Sequence, residues 1–215
     1  MMSRINDKVI LDSKVMNIYP DMSNDKKNQF DKAREQFSKS TDTLGQPIDT
    51  GILETVVILN LIGLNTSQSC EGHESWGNSF PWVDIKPVED EKYLEAKEHL
   101  KNLTSKLMQS DPHDSKTDEL SQKRLEAEVK YQKPTLDIAR DIITLLSKFY
   151  GINQSVSYEN QIYVNYSGAS LRLQSHGSVY QSTLSHSERN SKLKEFQDEM
   201  HNFTEFLIDY WSNVL

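Results

Sequence analysis

Cysteine is almost missing from this chain: Cys70 is the only one in 215 residues. A lone cysteine cannot close an internal disulfide, which fits a reducing compartment. Glycine and proline are scarce too, at 8 and 6 residues, while aromatics make up 9%. Disordered chains show the opposite balance, so this one folds. A hydrophobic fraction of 36% and a mean hydropathy of -0.66 make it a polar globular protein. The longest apolar run, VVILNLIGL at 56–64, is too short and too interrupted to cross a bilayer. The opening MMSRINDKVILDSK has no continuous apolar stretch of signal-peptide type. These absences predict a cytoplasmic protein with no membrane partner.

Positive charge is also in short supply. Lys and Arg number 24 against 32 Asp and Glu, a formal net charge of -8. Such a chain repels a nucleic-acid backbone unless a local basic patch overrides the long-range field. No run of Lys and Arg is dense enough to be that patch, and SNDKKNQF reads as a solvated helix surface. Nucleic acid is therefore not the expected partner. The length suits one core, giving a single domain over 1–215 with a helical insertion at about 88–133.

Helical rhythm is clearest in four places. IDTGILETVVILNLIG reads as a helix in which Asp49 caps the first turn, Ile48 and Leu53 form a hydrophobic staple, and Gly63 ends it. Tyr93, Ala96, Leu100, Leu103 and Leu107 line one face of a helix from Asp90 to Met108. After the polar break SDPHDSK, a weaker helix is expected over Glu119 to Tyr131. Pro134 then opens a separate, widely buried helix stopped at Gly151, with the stripes Ile138/Ile142/Leu145/Phe149 and Ala139/Ile143/Leu146/Tyr150. Leu193, Phe196, Met200, Phe203, Leu207, Tyr210 and Val214 mark a long amphipathic helix over 187–214. Its seam packs either inside the monomer or against a second copy or partner.

Strand signals come in pairs. NTSQSC and PWVDIKP flank one loop, QSVSYENQIYVNYSG reads as a hairpin about Glu159 and Asn160, and SLRLQSHG alternates polar with apolar residues. Paired strands with helices before, between and after them predict an α+β fold. Its sheet is mainly antiparallel, with about four or five strands.

Chemistry concentrates in NTSQSCEGHESWGNSFPWVDI. There Cys70 and His73 are candidate nucleophile and acid or base, and Gly72 permits the bend that returns the imidazole toward sulfur. His176 or His186 are alternative imidazole sources. Glu71 either orients His73 or meets water. Thr66, Gln68 and Cys70 alternate to one face of the first strand, as Arg172 and Gln174 do on SLRLQS. If those strands are neighbours, the two faces form a polar cleft for a small or anionic ligand, with Ser69, Glu71, Gly72 and His176 at its rim. Trp76 and Trp82 flank the loop and can stack on a flat ligand. The plainer readings are a buried thiol beside a partly exposed histidine and a solvated sheet face. As a metal motif, C-x-x-H supplies two ligands, and a catalytic ion needs a third from a carboxylate or His176; no metal is assigned. P-loop, G-x-G-x-x-G, H-E-x-x-H and G-x-S-x-G signatures are absent, so no cofactor is assigned.

Over Ile48 to Ile85, a helix, a short spacer, a threonine and then Ser-Cys-x-Gly resemble the start of the wybutosine-synthesis methyltransferase family. That family carries Ser-Cys-Ser-Gly-Arg where this chain has Ser69-Cys70-Glu71-Gly72-His73. The resemblance implies an α/β enzyme that uses S-adenosylmethionine on a modified guanosine of tRNA, with Ser69, Cys70 and Gly72 on matching positions. The residues themselves point first to a polar cleft for a small or nucleotide-type ligand around the Ser-Cys-Glu-Gly-His loop. Whether it catalyses a reaction stays open at this stage. A non-enzymatic protein that self-associates through its C-terminal helix and a tRNA-modifying methyltransferase-like protein are the alternatives.

Overall fold

A computed structural model describes residues 22–41, 45–111, 114–152, 155–167 and 170–214. The reading of the opening 14 residues as leader-free lies outside them, as does the centre of the polar break at 112–113. The described helices are α1 (Asn24–Ser38), α2 (Leu53–Leu61), α3 (Glu91–Met108), α4 (Ser115–Ile152) and α5 (His186–Val214), with a 3-10 helix over His176–Thr183. Four strands, β1 (Thr66–Cys70), β2 (Trp82–Ile85), β3 (Ile162–Ser167) and β4 (Ser170–Ser175), form one antiparallel sheet in the order β1-β2-β4-β3. The fold is α+β.

Alternation along the strands sorts the sheet into an apolar and a polar face. Val83, Ile85, Leu171 and Leu173 are fully buried and face the helices. Burying such side chains contributes about 1.5–3 kcal/mol each. Phe30 of α1, Val57 and Ile58 of α2, Ile142 and Phe149 of α4, and Phe203 and Leu207 of α5 complete that core. A hydrogen bond of 2.7 Å between the buried hydroxyls of Thr55 and Thr204 ties α2 to α5. The α5 seam thus packs inside the monomer over Leu193 to Leu207, while Val214 at its end is exposed.

Several expectations need correction. The two helices foreseen over 119–131 and from Pro134 are one continuous α4 that carries Pro134 inside it. Proline lacks the N–H that the turn before it would accept, so it weakens a helix locally. Here the flanking turns hold, and Lys133 and Asp137 bracket the proline with a 2.8 Å ion pair. Both expected stripes pack inward except at one position: Ala139 and Leu146 are buried and Tyr150 packs against the core, while Ile143 is 54% exposed. The run around Val156 and Tyr158 forms turns, and the hairpin is made by β3 with β4 instead.

Asp49 does not cap α2. The N-cap is Ile52, without a side-chain cap bond, because residues 50–52 form a turn that starts the helix later than the sequence suggested. The other end is as read. Gly63 adopts φ +88, with Leu64 N–H donating to Leu59 O and Gly63 N–H to Asn60 O, a Schellman stop.

The strand register decides which residues can meet. Cys70, Trp82, Gln174 and Tyr163 form one cross-strand row, and Gln68, Asp84, Arg172 and Asn165 the next. Both rows lie on the polar face. Thr66 pairs with Ile85 and belongs to the apolar side, because the register shifts between Thr66 and Gln68. One extra residue in a strand flips every position on its far side. The expected sharing of a face by Thr66, Gln68 and Cys70 therefore holds only for the last two.

Candidate functional site

The loop after β1 folds back on the turn before α2. Gly72 makes this possible with φ +83, and it has no room for a side chain: an added Cβ would lie 2.6 Å from Leu193 Cδ1 and 2.7 Å from the Phe80 carbonyl carbon. Four hydrogen bonds fasten the turn and the loop. Gly51 N–H donates to Glu71 Oε2 at 2.7 Å, Glu71 N–H to Asp49 Oδ2 at 3.1 Å, His73 N–H to Asn78 O at 2.8 Å, and Gln197 Nε2 to Glu71 O at 3.0 Å. Glu71 is thereby committed to the turn and leaves His73 to other partners.

Asp49, Cys70 and His73 come together at this junction. One donor atom from each lies within 4.8 Å of the others. His73 Nε2 stands 3.4 Å from Asp49 Oδ2, its ring stacks on Trp76 at 3.6 Å between centroids, and its side chain is 12% exposed. Nε2 is buried and makes no hydrogen bond among the described residues. An unpartnered buried ring nitrogen carries a desolvation cost that a ligand or an ion can relieve.

The electrostatics at sulfur are those of a resting thiol. Burial pushes the Cys70 pKa above its ordinary value, the carboxylates of Asp49 and Glu71 push it further, and the Gly72 N–H at 3.4 Å from Sγ only partly opposes them. A nucleophilic cysteine needs the reverse, a positive surrounding that favours thiolate.

Beside the cluster lies a pocket of about 370 Å³ along the outer edge of β1, a size typical of small-molecule sites. It is lined by Thr66, Ser67, Gln68 and Ser69 of β1 and by Gln46, Pro47 and Ile48 of the segment before α2. Phe37 of α1, Ser40 and Thr41 just beyond it, Val56 of α2 and Trp82 of β2 complete the lining. Asp49, Cys70 and His73 are not in that lining, but Asp49 follows Ile48 and Cys70 follows Ser69 in the chain. Lining side chains are hydroxyl, amide or apolar, with no ionisable group among the described residues. Trp82 Nε1 is buried and has no acceptor among the described residues.

The remaining expected residues lie elsewhere. Arg172 and Gln174 sit on the same polar face as Cys70, but β2 intervenes between their strand and β1. Arg172 is already engaged. Its Nε and Nη2 donate to Asp84 at 2.7 and 2.9 Å, and its guanidinium stacks on Trp82 at 3.8 Å. Gln174 donates to the Tyr163 hydroxyl at 3.0 Å. His176 is stacked between Tyr158 and Tyr163, each at 4.2 Å, over the β3 side of the sheet. Burial lowers its pKa. His186, at the exposed start of α5, faces Asn190.

The residue missed from sequence is Asp49. Its only local signal is Asp-Thr-Gly, a turn-forming set, and nothing in the spacing links it to a loop more than twenty positions on. No family model, curated protein or solved structure matches this chain.

Proposed function

We propose that the protein binds a small polar ligand in the pocket along β1, and that Asp49, Cys70 and His73 form the working end of that pocket. One observation carries this reading: the pocket's lining includes Ile48 and Ser69, whose neighbours in the chain, Asp49 and Cys70, converge with His73. Hydroxyls and amides along the walls suit a ligand with several hydrogen-bonding groups and little charge. Trp82 Nε1 offers a further buried donor that has no partner among the described residues.

The committed pairing of Arg172 with Asp84 takes the guanidinium out of the role of anion holder, so the ligand's charged part, where it has one, belongs at the cluster. The α5 seam, in contrast, already spends most of its apolar surface on the core, which leaves self-association through that seam without support.

Ligand-observed NMR against a panel of nucleosides, neutral sugars, amino-acid amides and carboxylic acids tests this reading. At least one class is expected to bind the parent protein and to bind Gln68→Ala at least about ten-fold more weakly. Gln68 is exposed on β1, so this change leaves the core intact. A panel in which no compound distinguishes the two proteins overturns the reading.

A further inference from the structure

We infer that Asp49, Cys70 and His73 bind one divalent transition-metal ion of the zinc class. The inference rests on the reading above only in taking the cluster as the end of the pocket.

Three observations lead there. First, the donor set joins a thiol, an imidazole and a carboxylate, a mixture that suits zinc and its neighbours and is unsuited to magnesium or calcium, which take oxygen alone. Second, the imidazole–carboxylate separation fits and the thiol lies close by. Tetrahedral ligands held at about 2.0–2.3 Å from an ion lie about 3.3–3.8 Å apart; His73 Nε2 and Asp49 Oδ2 are 3.4 Å apart, and all three donor atoms lie within 4.8 Å of one another. Third, His73 Nε2 is buried with no hydrogen bond among the described residues although a carboxylate oxygen is next to it. With the proton on the other ring nitrogen, a metal bond gives Nε2 a partner.

The surroundings are already arranged as outer support for such a centre. Glu71 N–H holds Asp49 Oδ2, Gly51 N–H holds Glu71, and Trp76 fixes the plane of the imidazole. Groups of this kind orient metal ligands and tune their strength. Three protein donors leave one tetrahedral position for water or a ligand atom, the arrangement of catalytic rather than structural zinc. Cys-x-x-His alone supplies half of a structural site. Asp49 makes it three quarters of a site that stays open.

The test uses the full chain, stripped with chelator and titrated with Co²⁺ alone and then with Zn²⁺ alone. One equivalent of Co²⁺ is expected to bind saturably with a thiolate-to-cobalt charge-transfer band, which Zn²⁺ displaces. Cys70→Ser should abolish the band, and Asp49→Asn and His73→Gln should each weaken binding at least about ten-fold. His201→Gln, on the exposed surface of α5, should change nothing. Absence of saturable one-to-one binding to the parent protein, or a Cys70→Ser variant with the parent's spectrum, overturns the inference, and the parent titration decides it even where a variant fails to fold. The two readings fail separately. A Gln68-dependent ligand without cobalt binding removes the metal alone, and cobalt binding without such a ligand removes the pocket assignment alone.

Discussion

His73 Nε2 stands 3.4 Å from Asp49 Oδ2, a relationship between the loop after β1 and the turn before α2 that brings Cys70 into the same small volume. Glycine at 72, the Glu71 carboxylate on Gly51 N–H and the Trp76 ring all serve that convergence. Four predictions follow from it and from the packing around it.

In metal-free protein the Cys70 thiol should titrate above an ordinary cysteine, since burial and then the Asp49 and Glu71 carboxylates oppose the thiolate. Asp49→Asn keeps an oxygen to accept from Glu71 N–H but removes a charge. The pH midpoint of iodoacetamide alkylation should therefore move down in that variant. An unchanged or higher midpoint would show that the carboxylate does not face the sulfur.

Gly72→Ala should destabilise the fold by about 2 kcal/mol or more, because it combines a left-handed backbone with contacts under 3 Å to Leu193 and Phe80. Urea unfolding measures it. A loss below about 0.5 kcal/mol would mean that the loop does not turn back as described.

Removing the partner of a buried charge costs more than removing the pair. Asp84 is 5% exposed and is held by Arg172 through two hydrogen bonds. Arg172→Met should cost about 3 kcal/mol, and Arg172→Met combined with Asp84→Leu should recover most of it. Additive losses in the double variant would contradict the pairing.

Glu199 of α5 is 4% exposed, and its Oε1 has no hydrogen bond. Burial raises its pKa above 4.5, while Tyr150 and Asn202 draw it part of the way back. With the folded pKa raised, the folded chain holds this proton more tightly than the unfolded chain. Its contribution is full below the unfolded pKa and is lost as pH rises through the folded one. Glu199→Gln should match the parent near about pH 4 and exceed it in urea midpoint near about pH 8. A deficit at the higher pH would contradict this.

Much of the scaffold was legible because its signals are local. The three-four rhythm of α3 and α5 and the alternation in β2 and β4 record which face each element buries. Where tertiary support overrode a local rule, the reading failed: Pro134 passes through α4 because the turns on both sides are held. The bulge between Thr66 and Gln68 left no compositional mark, yet it moved Thr66 to the other face. At the site, Cys70 and His73 were visible as rare residue types three positions apart. Asp49 was read as a helix cap, since a polar residue before an apolar run has that role by default, and only the folding back of the loop gives its carboxylate a different partner.

The central claim is that these three side chains act together at one centre, and zinc K-edge X-ray absorption of the zinc-loaded full chain tests it most directly. The account predicts one sulfur at about 2.3 Å with nitrogen and oxygen neighbours at about 2.0–2.2 Å. A spectrum with nitrogen and oxygen alone, or one unaltered in Cys70→Ser, would contradict it.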